Sequence, residues 1–380
     1  MDFKNKKKLQ NAIIEGRLDD LKKTVKDGFN LLEADDHNTS ILTLSAYTEQ
    51  WSIFDYLLEQ GLPAHVHAQD KTFVLAALAI SGQQNRLKTF LQEQGRHSLN
   101  YRDNHNASAL IIALQHKKFS VAIDLINAGI DINAHDQDGD TALTLIINHV
   151  QKHPIEAYNV FNLILSQKNV DIDQKGYQGA TALNTAAKLR EMPMVKSLLK
   201  AGANPNILNN KEESALWYAV TNLDKEMSEI LFDQGADINQ RSKSHSNNTL
   251  VHHMLTLGYQ DWVKYLCQKP GVKLNLLNDL QFTPLGYTAR GGHHTMAKHL
   301  LEAGADPDKI IFSKLTALDI ARLNKHQNIV DLIRHSKAQK HHTKSRLGQQ
   351  FQKSLKQQIN KNRKDKNKLN LKRRPTRSYR

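Results

Sequence analysis

One short motif returns ten times along the chain, at a spacing that stays close to 33 residues. Its clearest copy runs from Thr283 to His293 and is followed by the segment from Glu302 to Pro307. An apolar residue at the third position marks each copy: Leu9, Leu42, Leu75, Leu110, Leu143, Leu183, Leu216, Val251, Leu285 and Leu318. Neighbouring copies lie 33 to 35 residues apart, except for one interval of 40 residues. This period predicts a stacked repeat architecture.

Each copy carries the signals of two short helices. A Thr or Ser such as Thr181 precedes the first helix, where its hydroxyl can accept a hydrogen bond from an unpaired backbone N–H. Apolar residues at helical spacing follow, and a glycine such as Gly202, Gly235 or Gly304 then ends the second helix. One such unit cannot bury its apolar stripe alone, so the units are expected to stack into one core.

The run Thr283-Pro284-Leu285-Gly286 and the Gly292-His293 pair, repeated at this period, resemble the ankyrin repeat. The resemblance spans roughly residues 4–336 and implies an all-α solenoid of paired antiparallel helices with β-hairpin-like turns. We therefore expect residues 1–336 to form about ten repeats, including polar terminal caps, and residues 337–380 to form a basic tail. His252 and His293 occupy consensus histidine positions, for which the resemblance implies a structural role.

Two repeats depart from the pattern. The third has Phe73 where the capping Thr should stand. The fifth carries seven extra residues around His149 to Ala157, which we expect to lengthen the connection between its helices, with Pro154 in the first turn of the second helix. This insertion either joins a binding surface or is a tolerated loop extension.

Ankyrin proteins usually bind partners through the turn tips and the exposed positions of the first helices. The resemblance therefore implies a partner-binding role for Asp138, Asp140, Tyr177, Gln178, Lys188, Lys211, Glu213, His245, Leu280, Phe282 and Arg290. Tyr177, Leu280 and Phe282 are aromatic or apolar at positions expected to face solvent, as interface hot spots often are. The alternative is that Leu280 and Phe282 pack on neighbouring turns.

The sequence contains no motif of an active site or a cofactor site. Phosphate-binding glycine loops, nucleophile elbows and kinase motifs are absent, and the repeats leave no room for a catalytic domain. His149 and His153 have the spacing of a metal-binding pair but lack the glutamate of a zinc-protease helix. The single cysteine, Cys267, falls at a core position. We predict a protein that is not an enzyme and has no metal, cofactor or small-molecule substrate.

The positive charge of the chain is confined to its tail. The formal net charge is +14, and from Lys337 to Arg380 there are 16 Lys or Arg but one acid, so the repeats are nearly neutral. Leu347, Phe351, Leu355 and Ile359 predict an amphipathic helix near 345–361, followed by a disordered end. That helix either lies on an anionic membrane, enters a partner's groove or docks on the last repeat.

The end of the tail is dense in basic residues that could bind phosphates or serve as a nuclear localisation signal. These residues are Lys372, Arg373, Arg374, Arg377 and Arg380. A solvated tail that aids solubility is the alternative.

Two functional hypotheses follow from these patterns. The first is a monomeric interaction scaffold that holds one or more proteins in the groove, with the tail setting location or binding anionic partners. The second is a nucleic-acid-associated or nuclear protein whose tail is the main binder. No signal peptide or spanning segment is visible, so we expect a soluble, cytoplasmic chain, with nuclear location or delivery into a host cell as alternatives. The composition also resembles ankyrin proteins that intracellular bacteria deliver into host cells.

Overall fold

The computed structural model describes residues 3–29, 31, 40–62, 74–93, 99–339, 350 and 352–358. The chain divides into two compact units, Met1–Gln240 and Arg241–Arg380. Both are built from helix pairs, so the predicted all-α repeat fold is confirmed. Within the described residues, no helix has the length and apolar character needed to cross a bilayer.

In the first unit, short first helices pack on the first helices of neighbouring pairs, and the second helices form another layer. The pairs are α1 (Phe3–Ile14) and α2 (Leu18–Lys26), α3 (Ile41–Tyr47) and α4 (Trp51–Glu59), α5 (Val74–Ser81) and α6 (Gln84–Glu93), α7 (Ala109–Gln115) and α8 (Phe119–Asn127), α9 (Ala142–His149) and α10 (Pro154–Leu165), α11 (Ala182–Lys188) and α12 (Met192–Lys200), and α13 (Ala215–Thr221) and α14 (Lys225–Asp233).

The second unit opens with a small antiparallel hairpin and continues with the same helix pairs. Its elements are β1 (Arg241–Ser242), β2 (Asn248–Thr249), α15 (Leu250–Leu257), α16 (Gln260–Cys267), α17 (Pro284–Gly291), α18 (His294–Glu302), α19 (Ala317–Leu323), α20 (327–339) and α21 (352–358).

Side-chain caps start most of the first helices, as the sequence predicts. The Thr181 hydroxyl accepts from the backbone N–H of Asn184 at 3.2 Å, and Thr283 does the same for Gly286 at 3.1 Å. Such a cap contributes about 1 kcal/mol. Gly202, Gly235 and Gly304 lie in the left-handed region with φ of 94°, 80° and 96°, which confirms their role at the ends of the second helices.

The marker residues of the motif form the core. Nine of the ten are buried, and only Leu318, in the last helix pair, is half-buried. Burying a leucine side chain contributes about 1.5–3 kcal/mol, so the stack depends mainly on this row. Leu318 is more exposed because no further repeat among the described residues covers it, as expected for a terminal cap.

A row of side-chain hydrogen bonds joins successive turns. In each case the side-chain oxygen of an Asn or Asp accepts from a backbone N–H of the next repeat, over 2.7–2.9 Å. The pairs are Asn100 with Asp131, Asn133 with Asp171, Asp173 with Asn204, and Asn206 with Asp237 in the first unit, and Asn275 with Asp306 in the second. We call this row the turn ladder.

A second acceptor shapes the tips of several turns. Oδ1 of Asp136 accepts from the backbone N–H groups of Asp138 and Asp140 at 3.0 and 2.8 Å, and its Oδ2 accepts from the side chain of Gln115 at 3.0 Å. Asn209 accepts in the same way from the backbone N–H groups two and four residues later. These buried oxygens fix the backbone of residues that the sequence proposes as partner contacts.

The insertion of the fifth repeat mainly lengthens helices. Helix α10 has 12 residues, whereas α8 has nine, and only residues 150–153 connect α9 to α10. The connection is longer than residues 116–118, which join α7 to α8, but by one residue only, because most of the added chain lies in the helices or follows α10. Pro154 lies in the first turn of α10, as predicted, and Pro193 lies in the first turn of α12.

The last helix of the stack extends beyond the expected boundary at residue 336. Helix α20 continues to residue 339, and the ammonium of Lys337 forms an ion pair with the Asp308 carboxylate. Helix α21 falls within the predicted amphipathic segment, and its residue Leu355 is half-exposed. The other stripe residues, Leu347, Phe351 and Ile359, lie outside the described residues, as does the end predicted to be disordered.

We predict that Asp136→Ala lowers the free energy of unfolding by about 2–3 kcal/mol, because two backbone N–H groups and Gln115 lose a charged, buried acceptor. Asp138→Ala is the matched control, since it removes an exposed carboxylate from the same turn. Urea unfolding followed by circular dichroism measures both variants. Equal stability losses would contradict the role given to Asp136.

Candidate functional site

Helices α9, α11 and α13 and the turns before them form a groove in the first unit. We call it the first groove; its cavity has a volume of about 180 Å³. Four predicted contact residues line it: Asp140, Tyr177, Gln178 and Lys188. The other lining residues are Thr144, Asn148, Ala180, Asn184, Thr185, Leu189, Asn209 and Tyr218.

Hydrogen bonds fix the inner side chains of the first groove. The Tyr218 hydroxyl donates to Oε2 of Glu213 at 3.0 Å and accepts from Nδ2 of Asn209 at 2.8 Å. Burial and the Glu213 charge raise the pKa of Tyr218, so the phenol stays protonated. Nδ2 of Asn184 donates to the carbonyl oxygens of Ile207 and Glu213 at 3.2 and 3.4 Å. The part of the groove formed by the sixth and seventh repeats is therefore pre-organised.

Glu213 does not reach the partner-facing surface. It was predicted as a contact residue, but its side chain is 5 % exposed and its carboxylate accepts from Tyr218. The expectation of exposure is wrong because Tyr218, one turn into the following helix, covers that position. Glu213 acts on the groove by orienting the Tyr218 ring.

The outer edge of the first groove carries an aromatic ring and both signs of charge. Tyr177 is 53 % exposed, and Lys188 is exposed at the last turn of α11. Burial, and then the charges of Asp136 and Asp138, raise the pKa of Asp140, while a hydrogen bond from Thr144 opposes the shift. Together these groups can stack, donate and accept, as the contact of a polar chain segment requires.

A second, more apolar pocket lies in the second unit. This second pocket, of about 550 Å³, is lined by Asp279, Leu280, Gln281, Phe282, Arg290, Phe312, Ile320 and Asn324. It brings together three predicted contact residues, Leu280, Phe282 and Arg290. The Arg290 guanidinium lies 5.6 Å from the centre of the Phe282 ring.

Phe282 is a buried residue of this pocket. It is 6 % exposed, and its ring stacks on Phe312 with centroids 5.9 Å apart and planes 11° from parallel. The prediction that it faces solvent is wrong, and the alternative of packing on a neighbouring turn is correct for Phe282. Leu280, by contrast, is 50 % exposed.

The backbone of Phe282 is held from two sides. Its N–H donates to Oδ1 of Asn278 at 3.0 Å, and its carbonyl oxygen accepts from Nε2 of His252 at 3.0 Å. Gly286 adds room, since a Cβ there would lie 2.5 Å from Cδ1 of Ile311. His252 thus has the structural role predicted from its position.

The remaining predicted contact residues line neither cavity. Asp138 and Lys211 are exposed at turn tips, and His245 is half-buried in the β1–β2 turn, where its ring contacts His253. Sequence reasoning missed Tyr218 and Phe312. Phe312 stands six residues before the marker Leu318, as Tyr177 stands before Leu183, so the repeat register was the signal that could have found it.

No clustered metal ligands stand out in the part of the chain that the structure describes: no three His, Cys, Asp or Glu side chains converge there. His149 and His153 both contact the ring of Phe119. Cys267 is buried, and burial raises the pKa of its thiol to about 12, which leaves it protonated.

A family model described as "Ankyrin repeats (3 copies)" matches residues 110–206, 155–242 and 251–344, which together cover more than half of the chain. The chain belongs to the ankyrin-repeat family. Ankyrin repeats are generally interaction modules for other proteins and are generally not catalytic.

Curated relatives match part of this ankyrin-repeat chain. A putative ankyrin repeat protein of Acanthamoeba polyphaga mimivirus is 24 % identical over 243 residues, 62 % of this chain and 30 % of the relative. Neurogenic locus notch homolog protein 1 of Cricetulus griseus is 27 % identical over 144 residues, 38 % of this chain and 6 % of its own length. The NF-kappa-B p105 subunit of Gallus gallus is 28 % identical over 170 residues, which are 44 % of this chain and 17 % of the relative. The chain thus spans less than a third of each relative's length.

His252 should make stability depend on pH. Burial, followed by the charge of Arg241, lowers its pKa to about 4, although the hydrogen bond to Phe282 opposes this shift. As the pH falls, His252 therefore takes up a proton near pH 6.5 in the unfolded chain but only near pH 4 in the folded protein. This contribution is present above pH 6.5 and is lost as the pH falls toward 4.

We predict that the free energy of unfolding falls by about 1–2 kcal/mol more in the natural protein than in His252→Gln between pH 7 and pH 5. Glutamine keeps a side-chain donor but does not titrate. Urea unfolding at the two pH values measures the difference, in which the other histidines cancel. An equal pH dependence would contradict a depressed His252 pKa.

Proposed function

We propose that the protein is a non-catalytic scaffold that holds a partner protein in the first groove. The observation that carries this proposal is the exposed Tyr177 ring beside Lys188, above a floor of polar side chains fixed by hydrogen bonds. Side chains that are already ordered lose little conformational entropy on binding, which favours affinity. Ankyrin repeats are generally protein-interaction modules, which supports the proposal.

The chemistry of the first groove favours an extended, polar segment of the partner. Asn148, Gln178 and Thr185 offer donors and acceptors, and Asp140 and Lys188 offer one charge of each sign. A cavity of about 180 Å³ is too small for a folded element but can take one side chain. Because residues 1–336 are nearly neutral, association should depend little on long-range electrostatic attraction.

We predict that Tyr177→Ala and Lys188→Glu in the full-length chain each weaken partner capture by about tenfold, a loss of about 1.4 kcal/mol. The reason is the loss of an aromatic contact in one variant and of charge complementarity in the other. A nuclease-treated pulldown with quantitative mass spectrometry identifies the partner, and titration with the purified partner gives the dissociation constants.

Lys200→Glu is the matched control, because Lys200 is exposed at the end of α12, outside the first groove. It should leave capture unchanged, and all three variants should keep the thermal midpoint. A partner that binds all three variants equally would show that the first groove is not the binding site.

We propose as a second candidate that the basic tail binds anionic partners, in the cytoplasm or the nucleus. The observation that favours it is the concentration of the net positive charge after residue 336. The residues proposed for this role are Lys372, Arg373, Arg374, Arg377 and Arg380. Such binding would be independent of nucleotide sequence and sensitive to salt.

We predict that the full-length chain binds a labelled 30-nucleotide RNA at 50 mM salt and loses at least about tenfold in affinity at 200 mM, because counterion release drives binding. Fluorescence polarisation measures it. A chain ending at Gln339, which keeps α20 intact, is the comparison. Equal affinity of both chains would exclude the tail as the binding element.

The likeness to ankyrin proteins delivered by bacteria also stays a prediction.

A further inference from the structure

The second pocket exposes apolar surface that the described residues of the second unit do not cover. Leu280 and Phe312 line the pocket and are 50 % and 51 % exposed, and Ile310, two residues before Phe312, is 60 % exposed. Contiguous exposed apolar residues of this kind mark interaction sites in water-soluble domains. The volume of about 550 Å³ lies within the range of pockets that hold a ligand or a bulky side-chain anchor.

The pocket is rigid enough to select a shape. Phe282 and Ile320 are buried beneath it, and the Phe282 ring is stacked on Phe312. The backbone of Phe282 is bonded to Asn278 and His252. A bulky apolar side chain entering the pocket would therefore meet an aromatic wall that is already in place, so little ordering is needed.

Arg290 makes the pocket selective for the charge of its occupant. Its exposed guanidinium lies over Phe282, and no carboxylate among the described residues lies within ion-pairing distance of it. The other charged lining residue, Asp279, already accepts from Nδ2 of Asn247 at 2.7 Å. A carboxylate on the occupant would give Arg290 the bidentate partner that guanidinium groups favour.

The charges argue against two other occupants. The amphipathic stripe of the tail is flanked by Arg346, Lys353 and Lys356, which would bring positive charge next to Arg290. A second copy of the chain, in a symmetric contact whose two-fold axis passes through the pocket, would place two Arg290 side chains against each other. An acidic occupant has neither conflict.

We propose that the second pocket binds a partner segment that presents a bulky apolar side chain within about three residues of an Asp or Glu. The apolar side chain enters between Leu280 and Phe312, and the carboxylate pairs with Arg290. This site does not depend on the first groove, so the protein can hold two different segments in its two units.

Peptide display tests the proposal directly. A random dodecapeptide library is selected on the full-length protein and on two variants, Arg290→Glu and the control Lys298→Glu. Lys298 is an exposed lysine on α18 that does not line the pocket. The natural protein and the control should enrich Trp, Phe, Leu or Ile close to Asp or Glu. With Arg290→Glu the preferred charge should change to Lys or Arg.

A synthetic peptide of the enriched sequence then gives affinities by fluorescence polarisation. Phe312→Ala, at a half-exposed position, should weaken binding by about tenfold in a variant that still unfolds cooperatively, whereas Tyr177→Ala should have no effect. Enrichment that is the same on all three proteins, or a Phe312→Ala variant with full affinity, would overturn the proposal.

Two further outcomes would replace the proposed occupant. Tighter peptide binding by the full-length variant Leu355→Asp would show that the tail occupies the pocket. A dimer in sedimentation that the Phe312→Ala variant dissociates would show that a second copy does. A monomer, with peptide affinity unchanged by Leu355→Asp, supports an acidic, apolar partner segment.

Discussion

The hydrogen bond from one repeat's backbone N–H to the Asn or Asp side chain of the repeat before it sets the geometry of each unit. Hydrophobic burial drives the helices together, but it is not directional. It alone would allow one repeat to shift along the leucine row of the next. The turn ladder is directional and recurs at the same place in the five pairs described above, as in Asn133 with Asp171 and Asn206 with Asp237. It therefore fixes the distance between the turns that it joins, and with it the spacing of the first helices that follow those turns.

The two cavities are consequences of that spacing. Neither is contained in one repeat: the first groove takes residues from the turns and first helices of three repeats, and the second pocket from two. Their chemistry differs because the tips differ. Tyr177 stands over polar side chains fixed by Asn209 and Glu213, whereas Phe312 closes over another phenylalanine. The same backbone thus supports a polar groove and an apolar pocket.

The sequence predicts the repeat positions well and the contacts between repeats poorly. Period and motif place the caps, the glycines and the buried markers, because these depend on residues within one repeat. The exposure of a side chain at a turn tip depends on which side chains of neighbouring segments cover it. Glu213 is buried by Tyr218, and Phe282 by Phe312, so a position that is open in most repeats is closed in these. The longer helix α10 was also missed, since a count of inserted residues does not say whether they continue a helix.

Helix α10 also breaks the translational symmetry of its unit. At about 1.5 Å per residue, its three additional residues make it roughly 4–5 Å longer than α8. Its second residue, Ile155, is 75 % exposed. A stack of near-identical repeats offers several equivalent binding positions. A partner that contacts only the features common to all repeats could bind at any of them. Among the described second helices of the first unit, the long helix is a landmark that is not repeated, and it marks one position along that unit.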